Sequence, residues 1–84
     1  MKNKLQILKA LADETRLNIV KYLEGGEKCV CEIFPYVKRT QSTVSAQLDI
    51  LKKAGIVDSK KAGKKVYYFV SNKKISKILN SLEN

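Results

Sequence analysis

Residues 56–70 narrow the possible folds of this chain more than any other segment. Two runs of β-branched and aromatic residues, at 56–57 and 66–70, flank a basic stretch that contains Gly63. Such runs favour strands, and a short connection containing glycine favours a β-hairpin whose tip is formed by residues 60–65. Elsewhere the apolar residues recur at helical spacing, so the sequence predicts a mainly α-helical protein with one small β-hairpin.

Three short helices are predicted before the middle of the chain. The first covers roughly residues 3–12, where leucines recur at helical spacing. The second follows Asp13, which is predicted as its N-cap, and ends at Gly25-Gly26. The third passes through residues 30–37, and Pro35 within it is expected either to kink the helix or to end it early.

The fourth helix has the clearest amphipathic pattern. Val44, Leu48 and Leu51 follow one another at spacings of four and three residues, so a helix buries this stripe and exposes its other faces. Thr40 is its predicted N-cap, and Ala54-Gly55 its predicted end. A fifth helix follows the hairpin and carries an apolar stripe formed by Ile75, Ile78, Leu79 and Leu82.

Length and residue types limit the function classes. With 84 residues the chain has room for one domain, residues 1–84, whose own core is small. The absence of histidine excludes Ser-His and Cys-His catalysis and imidazole metal sites, and the scattered carboxylates offer no acid–base pair, so no enzyme is expected. No apolar run approaches the roughly 18 residues that span a bilayer, so a cytoplasmic protein without a membrane partner is expected.

The positive charge is concentrated in the second half of the chain. The net charge is +9, and residues 38–77 carry eleven cations against two anions, whereas residues 1–37 carry six against five. A nucleic acid bound on one face accounts for this placement, because each neutralised phosphate releases counterions. The alternative is a lysine-rich surface that only keeps the protein soluble.

A polar turn, an exposed polar helix and a basic hairpin, in this order, are typical of a winged helix-turn-helix. The fourth helix is then the one that enters the major groove of DNA. Its outward residues are small or polar and suit contacts with phosphates and base edges. These residues are Ser42, Ala46, Asp49 and Lys53, with Thr43 and Ser45 on the flanks. The alternatives are a solvated helix and hairpin, or a winged helix that binds proteins.

Four separate segments resemble the ArsR family of repressors. They are ALADETRLNIV at 10–20, EKCVCEI at 27–33, TQSTVSAQL at 40–48 continued by LKKAGIV at 51–57, and KKVYY at 64–68. The resemblance covers roughly residues 5–70 in the order of the family. It implies a homodimeric winged-helix repressor that leaves its DNA operator when an inducer binds. Such a repressor is expected to need no cofactor for folding.

The resemblance also implies site residues. The family's DNA contacts correspond to positions in the fourth helix and the wing, namely Gln41, Ser42, Thr43, Ser45, Ala46, Gln47, Lys60, Lys61, Lys64 and Lys65. The basic pair Lys38-Arg39 is added from the charge pattern. The dimer interface corresponds to the first and last helices, with Leu5, Leu8, Leu11, Ile75, Ile78, Leu79 and Leu82. In the alternative, both stripes pack within one chain.

Cys29 and Cys31 are the only thiols in the sequence. Thiolates suit arsenite, antimonite or a soft divalent metal as inducer. In a regular helix, positions two apart point about 200° away from each other, so binding is expected to require unwinding of the first turn of the third helix. The family's arsenite box often has a third cysteine where this chain has Phe34. A redox switch and a pair with no sensing role remain alternatives.

Overall fold

The computed structural model describes residues 4–82, apart from the side chain of Leu82. Within this range the chain forms five helices and a three-stranded antiparallel sheet in the order β1-β3-β2. The elements are α1 (Lys4–Leu11), α2 (Glu14–Leu23), β1 (Lys28–Cys29), α3 (Val30–Val37), α4 (Gln41–Lys53), β2 (Val57–Ala62), β3 (Lys65–Val70) and α5 (Ile75–Leu82). The prediction of a mainly α-helical protein with a β-hairpin is confirmed.

The predicted start of α2 is confirmed by its cap. The Asp13 carboxylate accepts the backbone N–H of Arg16 at 3.0 Å, which satisfies one of the free donors of the first turn. The helix ends at Leu23, and Gly26 then takes a φ of +128°, a conformation that side chains rarely allow.

Helix α3 continues through Pro35 to Val37, so the proline does not end it early. Pro35 has no N–H to donate to the carbonyl four residues before it, yet the helix continues for two further residues. Lys38 then ends α3 in the left-handed conformation, with a φ of 59°. This residue turns the chain from α3 into α4.

The apolar stripe of α4 is central to the core. Val44, Leu48 and Leu51 are each 0% exposed, as predicted. Burial of each such side chain contributes about 1.5–3 kcal/mol. They share the core with Ile19 and Ile33 from the preceding helices, so the position of α4 is set by contacts on several elements.

The hairpin is longer and its turn tighter than predicted. Strand β2 extends to Ala62, which pairs with Lys65 at the start of β3, and only Gly63 and Lys64 form the turn. Gly63 has a φ of +65°, which two-residue hairpin turns require. The prediction that residues 60–65 form the tip is therefore wrong, because pairing with the β-branched and aromatic β3 makes a strand of residues 60–62 as well.

A further strand, β1, was not expected from the sequence. It consists of Lys28 and Cys29, which pair with Tyr68 and Tyr67 of β3. Two residues are too short for an alternating pattern to be visible in the sequence. The strand links the segment before α3 directly to the hairpin.

The apolar residues of α1 and α5 divide into two groups. Leu11, Ile75 and Leu79 are at most 6% exposed and pack in the core of their own chain. Leu5 and Leu8 are 60% and 53% exposed. Of the predicted interface set, Ile78 is half-buried, and the side chain of Leu82 lies outside the described part of the chain.

Between residues 4 and 82 no helix is both long and apolar enough to cross a membrane.

Candidate nucleic-acid interface and cysteine pair

The exposed face of α4 carries small and polar side chains. Gln41, Ser42, Ser45 and Ala46 are exposed, opposite the buried stripe. Thr43 and Gln47 are half-buried on its flanks. Helices α3 and α4 with the turn at residues 38–40 thus form a helix-turn-helix whose second helix offers a polar face to solvent.

The N-terminus of α4 is held by Thr40. Its hydroxyl oxygen accepts the backbone N–H of Thr43 at 3.2 Å and lies 3.0 Å from the Thr43 hydroxyl, so the predicted cap is confirmed. Lys38 and Arg39 are exposed directly before this turn. The positive end of the helix dipole and two cations therefore lie together, an arrangement that attracts anions.

The lysines of the hairpin, here called the wing (residues 57–70), differ in whether they pair with a carboxylate. Lys61, Lys64 and Lys65 are exposed, and within residues 4–82 none of them has a carboxylate partner. Lys60 differs, because its ammonium nitrogen lies 2.9 Å from the Glu27 carboxylate. Three of the four predicted wing cations are therefore available to a polyanion without breaking an ion pair.

The end of α4 is tied to the wing by Lys52. Its ammonium group donates to the Ser59 hydroxyl at 2.9 Å and lies 3.8 Å from the Asp58 carboxylate. This contact joins the end of the helix to β2 at the surface.

On its other flank α4 is joined to α1 and α2 by Arg16. The Arg16 Nη1 donates to the Gln47 Oε1 at 2.7 Å, and its Nε donates to the Ala10 carbonyl at 2.6 Å. No role was predicted for Arg16 from the sequence. Its partner Gln47 lies 31 residues away in the sequence, and no pattern of neighbouring residues indicates such a contact.

Cys29 and Cys31 form a disulfide, with Cα atoms 5.1 Å apart. Cys29 is 5% exposed, whereas Cys31 is exposed. The expectation that the first turn of α3 must unwind to bring the sulfurs together is wrong. Cys29 precedes the helix with extended backbone, at φ −70° and ψ 147°, so the helical angle between positions two apart does not apply.

The same two residues close the first turn of α3. The Cys31 backbone N–H donates to the Cys29 sulfur at 3.1 Å, and the Cys29 N–H donates to the Glu32 carboxylate at 3.0 Å. The Cys29 sulfur also accepts the backbone N–H of Glu32, so Cys29 and Glu32 bond each other reciprocally in a capping box. Since Cys29 also pairs with Tyr67, the cysteine pair lies where the helix-turn-helix and the wing meet.

The potential metal ligands near this pair are few. Among the described residues, no group of three Cys, His, Asp or Glu side chains is placed to hold one metal ion. Phe34, at the position of the family's third cysteine, packs against the core. Residues 4–82 therefore offer a dithiol once the disulfide is reduced, and no complete protein shell for a metal ion.

An aromatic pair on α2 and α3 was also missed in the sequence. The rings of Tyr22 and Tyr36 stack with centroids 3.9 Å apart, and the Lys28 ammonium lies 5.1 Å from the Tyr22 centroid. Tyr36 is nevertheless 60% exposed. The stack joins α2 to α3 at the surface.

Residues 13–59 match the family described as bacterial regulatory proteins of the arsR family. This segment extends from the cap of α2 into the wing and includes the whole helix-turn-helix and both cysteines. The chain belongs to the arsR family. The resemblance found in the sequence is thus confirmed, and the family consists of transcriptional regulators and not of enzymes.

Three relatives cover most of the chain. An uncharacterized HTH-type transcriptional regulator of Methanocaldococcus jannaschii is 42% identical over 93% of this arsR-family chain and 89% of its own length. The cadmium resistance regulator CadC of Listeria innocua is 49% identical over 89% of the chain. The arsenical resistance operon repressor of Escherichia coli is 43% identical over 80% of the chain. The chain spans 61% and 58% of the lengths of these two proteins.

Solved structures of similar proteins have the same fold. Reduced HlyU from Vibrio cholerae has a TM-score of 0.87 at 31% identity, covering 93% of this chain and 82% of HlyU. The homodimeric winged helix-turn-helix DNA-binding domain Mb0332 from Mycobacterium bovis has a TM-score of 0.85 at 29% identity, covering 94% and 73%. The predicted winged helix-turn-helix fold is confirmed.

Proposed function

We propose that this chain is a homodimeric repressor that binds a double-stranded DNA operator and leaves it when Cys29 and Cys31 bind a thiophilic metalloid or metal. The observation that carries the proposal is the position of Cys29. It ends β1, where it pairs with the wing, and it caps α3, the first helix of the helix-turn-helix. A ligand on its sulfur therefore acts on both DNA-binding parts at once.

The DNA contacts follow from the exposed face of α4 and the free lysines of the wing. α4 enters the major groove, and the wing lies along the neighbouring backbone. The proposed contact residues are Lys38, Arg39, Gln41, Ser42, Thr43, Ser45, Ala46, Gln47, Lys61, Lys64 and Lys65. Lys60 is a weaker contact than the other wing lysines, because reaching a phosphate requires leaving Glu27.

The dimer forms through the exposed leucines of α1 together with α5. Leu5 and Leu8 are large apolar side chains on the surface, and Ile78 of α5 is half-buried. Covering them with a second copy is favourable for a chain with a small core. The homodimeric domain from M. bovis, with 94% of this chain covered, supports the same assembly.

Soft thiolate chemistry and the names of two relatives favour arsenite, antimonite or cadmium as inducer. The reduced Cys29 and Cys31 supply two thiols, two positions apart in the sequence. An As(III) hydroxide forms two As–S bonds with them, and two hydroxides leave as water with the thiol protons. The third hydroxide stays on arsenic, because Phe34 provides no ligand.

Release follows if the inducer and the operator favour different arrangements of the same segment. The Cys29 sulfur accepts the Cys31 N–H in the first turn of α3. A metalloid bonded to both sulfurs fixes their separation, and the start of α3 shifts relative to β3 and α4. Inducer and DNA then oppose each other by linkage.

The test is a binding titration of the reduced chain against the DNA upstream of its own gene, followed by fluorescence anisotropy at several salt concentrations. We expect binding that weakens with salt and is reversed by arsenite or cadmium. A chain that binds no DNA contradicts the repressor proposal. A chain that binds DNA and ignores both inducers contradicts only the sensing part and leaves a pair with no sensing role.

A redox switch is the second candidate, favoured by the disulfide between Cys29 and Cys31. Here hydrogen peroxide takes two electrons and two protons from the two thiols, giving the disulfide and two molecules of water. Release by peroxide that dithiothreitol reverses, without release by arsenite, selects this function. Release by arsenite alone selects the inducer function.

A further inference from the structure

The side chain of Arg16 connects three helices. It originates on α2, donates from Nε to the Ala10 carbonyl in the last turn of α1, and donates from Nη1 to the Gln47 Oε1 on α4. The donor–acceptor distances are 2.6 and 2.7 Å. The carbonyls at the end of a helix lack partners within that helix, so a cation is stabilised there.

This contact determines which end of the Gln47 amide faces solvent. A guanidinium group has donors only, so the amide oxygen and not the amide nitrogen must face Arg16. No residue between 4 and 82 accepts from the Gln47 Nε2, and no side-chain nitrogen in that range is buried without a partner. The Nε2 group of half-buried Gln47 is thus accessible to solvent, and its N–H donors have no partner among these residues.

We propose that Arg16 restricts Gln47 to the role of a hydrogen-bond donor, and that Gln47 contacts a backbone phosphate of the operator and does not read adenine. The proposal rests on the DNA binding proposed above. Glutamine recognises adenine with its oxygen and nitrogen together, accepting from N6 and donating to N7. With its oxygen bonded to Arg16, Gln47 has only the donor half of this pattern.

The position of Gln47 on α4 favours the phosphate over a base edge. Successive helix residues differ by about 100°, so Gln47 projects from the flank between exposed Ala46 and fully buried Leu48. When a helix lies in the major groove, its outward face meets the bases and its flanks meet the sugar-phosphate walls. Arg16 is then a positioning residue that acts on DNA through Gln47.

Two substitutions of similar shape separate the roles of the amide. Gln47→Glu keeps an oxygen for Arg16 but removes the donor, and Gln47→Met removes both. We expect Gln47→Met to weaken operator binding about tenfold, the effect of one hydrogen bond to a charged group, and Gln47→Glu to weaken it further by repulsion. Thermal unfolding is the control, since Gln47→Glu is expected to unfold at about the temperature of the unchanged chain.

The phosphate and the base are distinguished by varying the DNA. A panel of operators with single base-pair changes is titrated with the unchanged chain and with Gln47→Met. A phosphate contact predicts the same loss on every operator, with an unchanged salt slope because glutamine carries no charge. In addition, one operator with a neutral methylphosphonate at the contacted position is expected to bind both proteins alike.

Arg16 itself is tested by a double-mutant cycle. In an Arg16→Met background the Gln47 amide is free to rotate, and the loss caused by Gln47→Met is expected to shrink. A loss confined to operators changed at one base pair overturns the proposal in favour of base reading. Full affinity of Gln47→Glu in a chain that binds the operator overturns it as well, whereas a chain without DNA affinity contradicts the proposed function instead.

Discussion

The backbone N–H of Cys29 donates to the carboxylate of Glu32 across 3.0 Å. The bond closes the first turn of α3 at the residue that also pairs with Tyr67 of the wing. Glu32 is therefore a side chain that joins Cys29, the N-cap, to the first turn of α3.

Replacing Glu32 with alanine is expected to destabilise the fold. The capping box loses one of its two hydrogen bonds, and caps of this kind contribute about 0.5–2 kcal/mol. For a chain of this size each kcal/mol lowers the melting temperature by about 4–8 °C, which calorimetry of the reduced protein measures. Glu32→Gln is the matched control, because glutamine also caps. Equal melting temperatures of Glu32→Ala and the unchanged chain contradict the prediction.

Single serine substitutions of the cysteines are expected to separate DNA binding from release. Serine is a favoured N-cap, so Cys29→Ser keeps the first turn of α3, and exposed Cys31 is replaced without loss of packing. Both variants bind the operator as the unchanged chain does, but arsenite no longer releases them. Anisotropy titrations with and without arsenite measure this; release of either variant at the original concentration places the sensor elsewhere.

Removing wing lysines is expected to change the salt dependence of DNA binding. Lys64→Ala with Lys65→Ala takes away two cations without carboxylate partners, and each lost phosphate contact lowers the slope of log K against log salt by about 0.9. Every DNA sequence is affected alike. Lys60→Ala is the comparison, and its slope is expected to stay close to the original because Lys60 pairs with Glu27. If the double variant loses affinity for one operator alone, or if all variants have equal salt slopes, the distinction between free and paired wing lysines is wrong.

A charge on the exposed side of α1 is expected to dissociate the dimer. Leu8 is 53% exposed, so Leu8→Glu leaves the fold intact but places a carboxylate in the proposed interface. Sedimentation at micromolar concentration should then give the 9.5 kDa monomer. Ile50→Glu, at a 42% exposed position of α4, controls for the loss of a surface apolar residue. Dimers of Leu8→Glu as stable as those of the unchanged chain argue against an interface on α1.

Substitution of a buried residue in the same predicted interface, Ile75 of α5, has a different effect. Ile75 is 0% exposed in its own chain, and Ile75→Ala is expected to cost about 2–5 kcal/mol of folding stability. Urea unfolding measures this loss. A small loss of stability with a large loss of dimerisation would assign Ile75 to the interface after all.

The local features of the fold were predictable from short stretches of sequence. The caps at Asp13 and Thr40 and the buried stripe of α4 depend on residues three or four apart, and such patterns are visible in one dimension. The hairpin was predicted for the same reason, but its turn was placed too broadly. The ends of β2 and β3 depend on pairing between strands, which the lysines at 60–61 do not reveal.

The candidate site was only partly predictable. The cysteines were identifiable by type, but β1 and the extended conformation of Cys29 arise from pairing with Tyr67, almost forty residues away. Likewise, helical spacing alone does not distinguish an apolar residue that packs inside from one that faces outward. Leu8 and Leu11 share one stripe, yet only Leu11 is buried.

The sequence alone determined the family, the order of the elements, the basic second half and the two thiols, because these depend on residue type and near neighbours. Only the tertiary structure decided how the groups are connected. It bonded Arg16 to Gln47, paired Lys60 with Glu27, and set Cys29 between α3 and the wing. These contacts join residues about 30 or more positions apart, and they exist because burial of the common core brings the segments together.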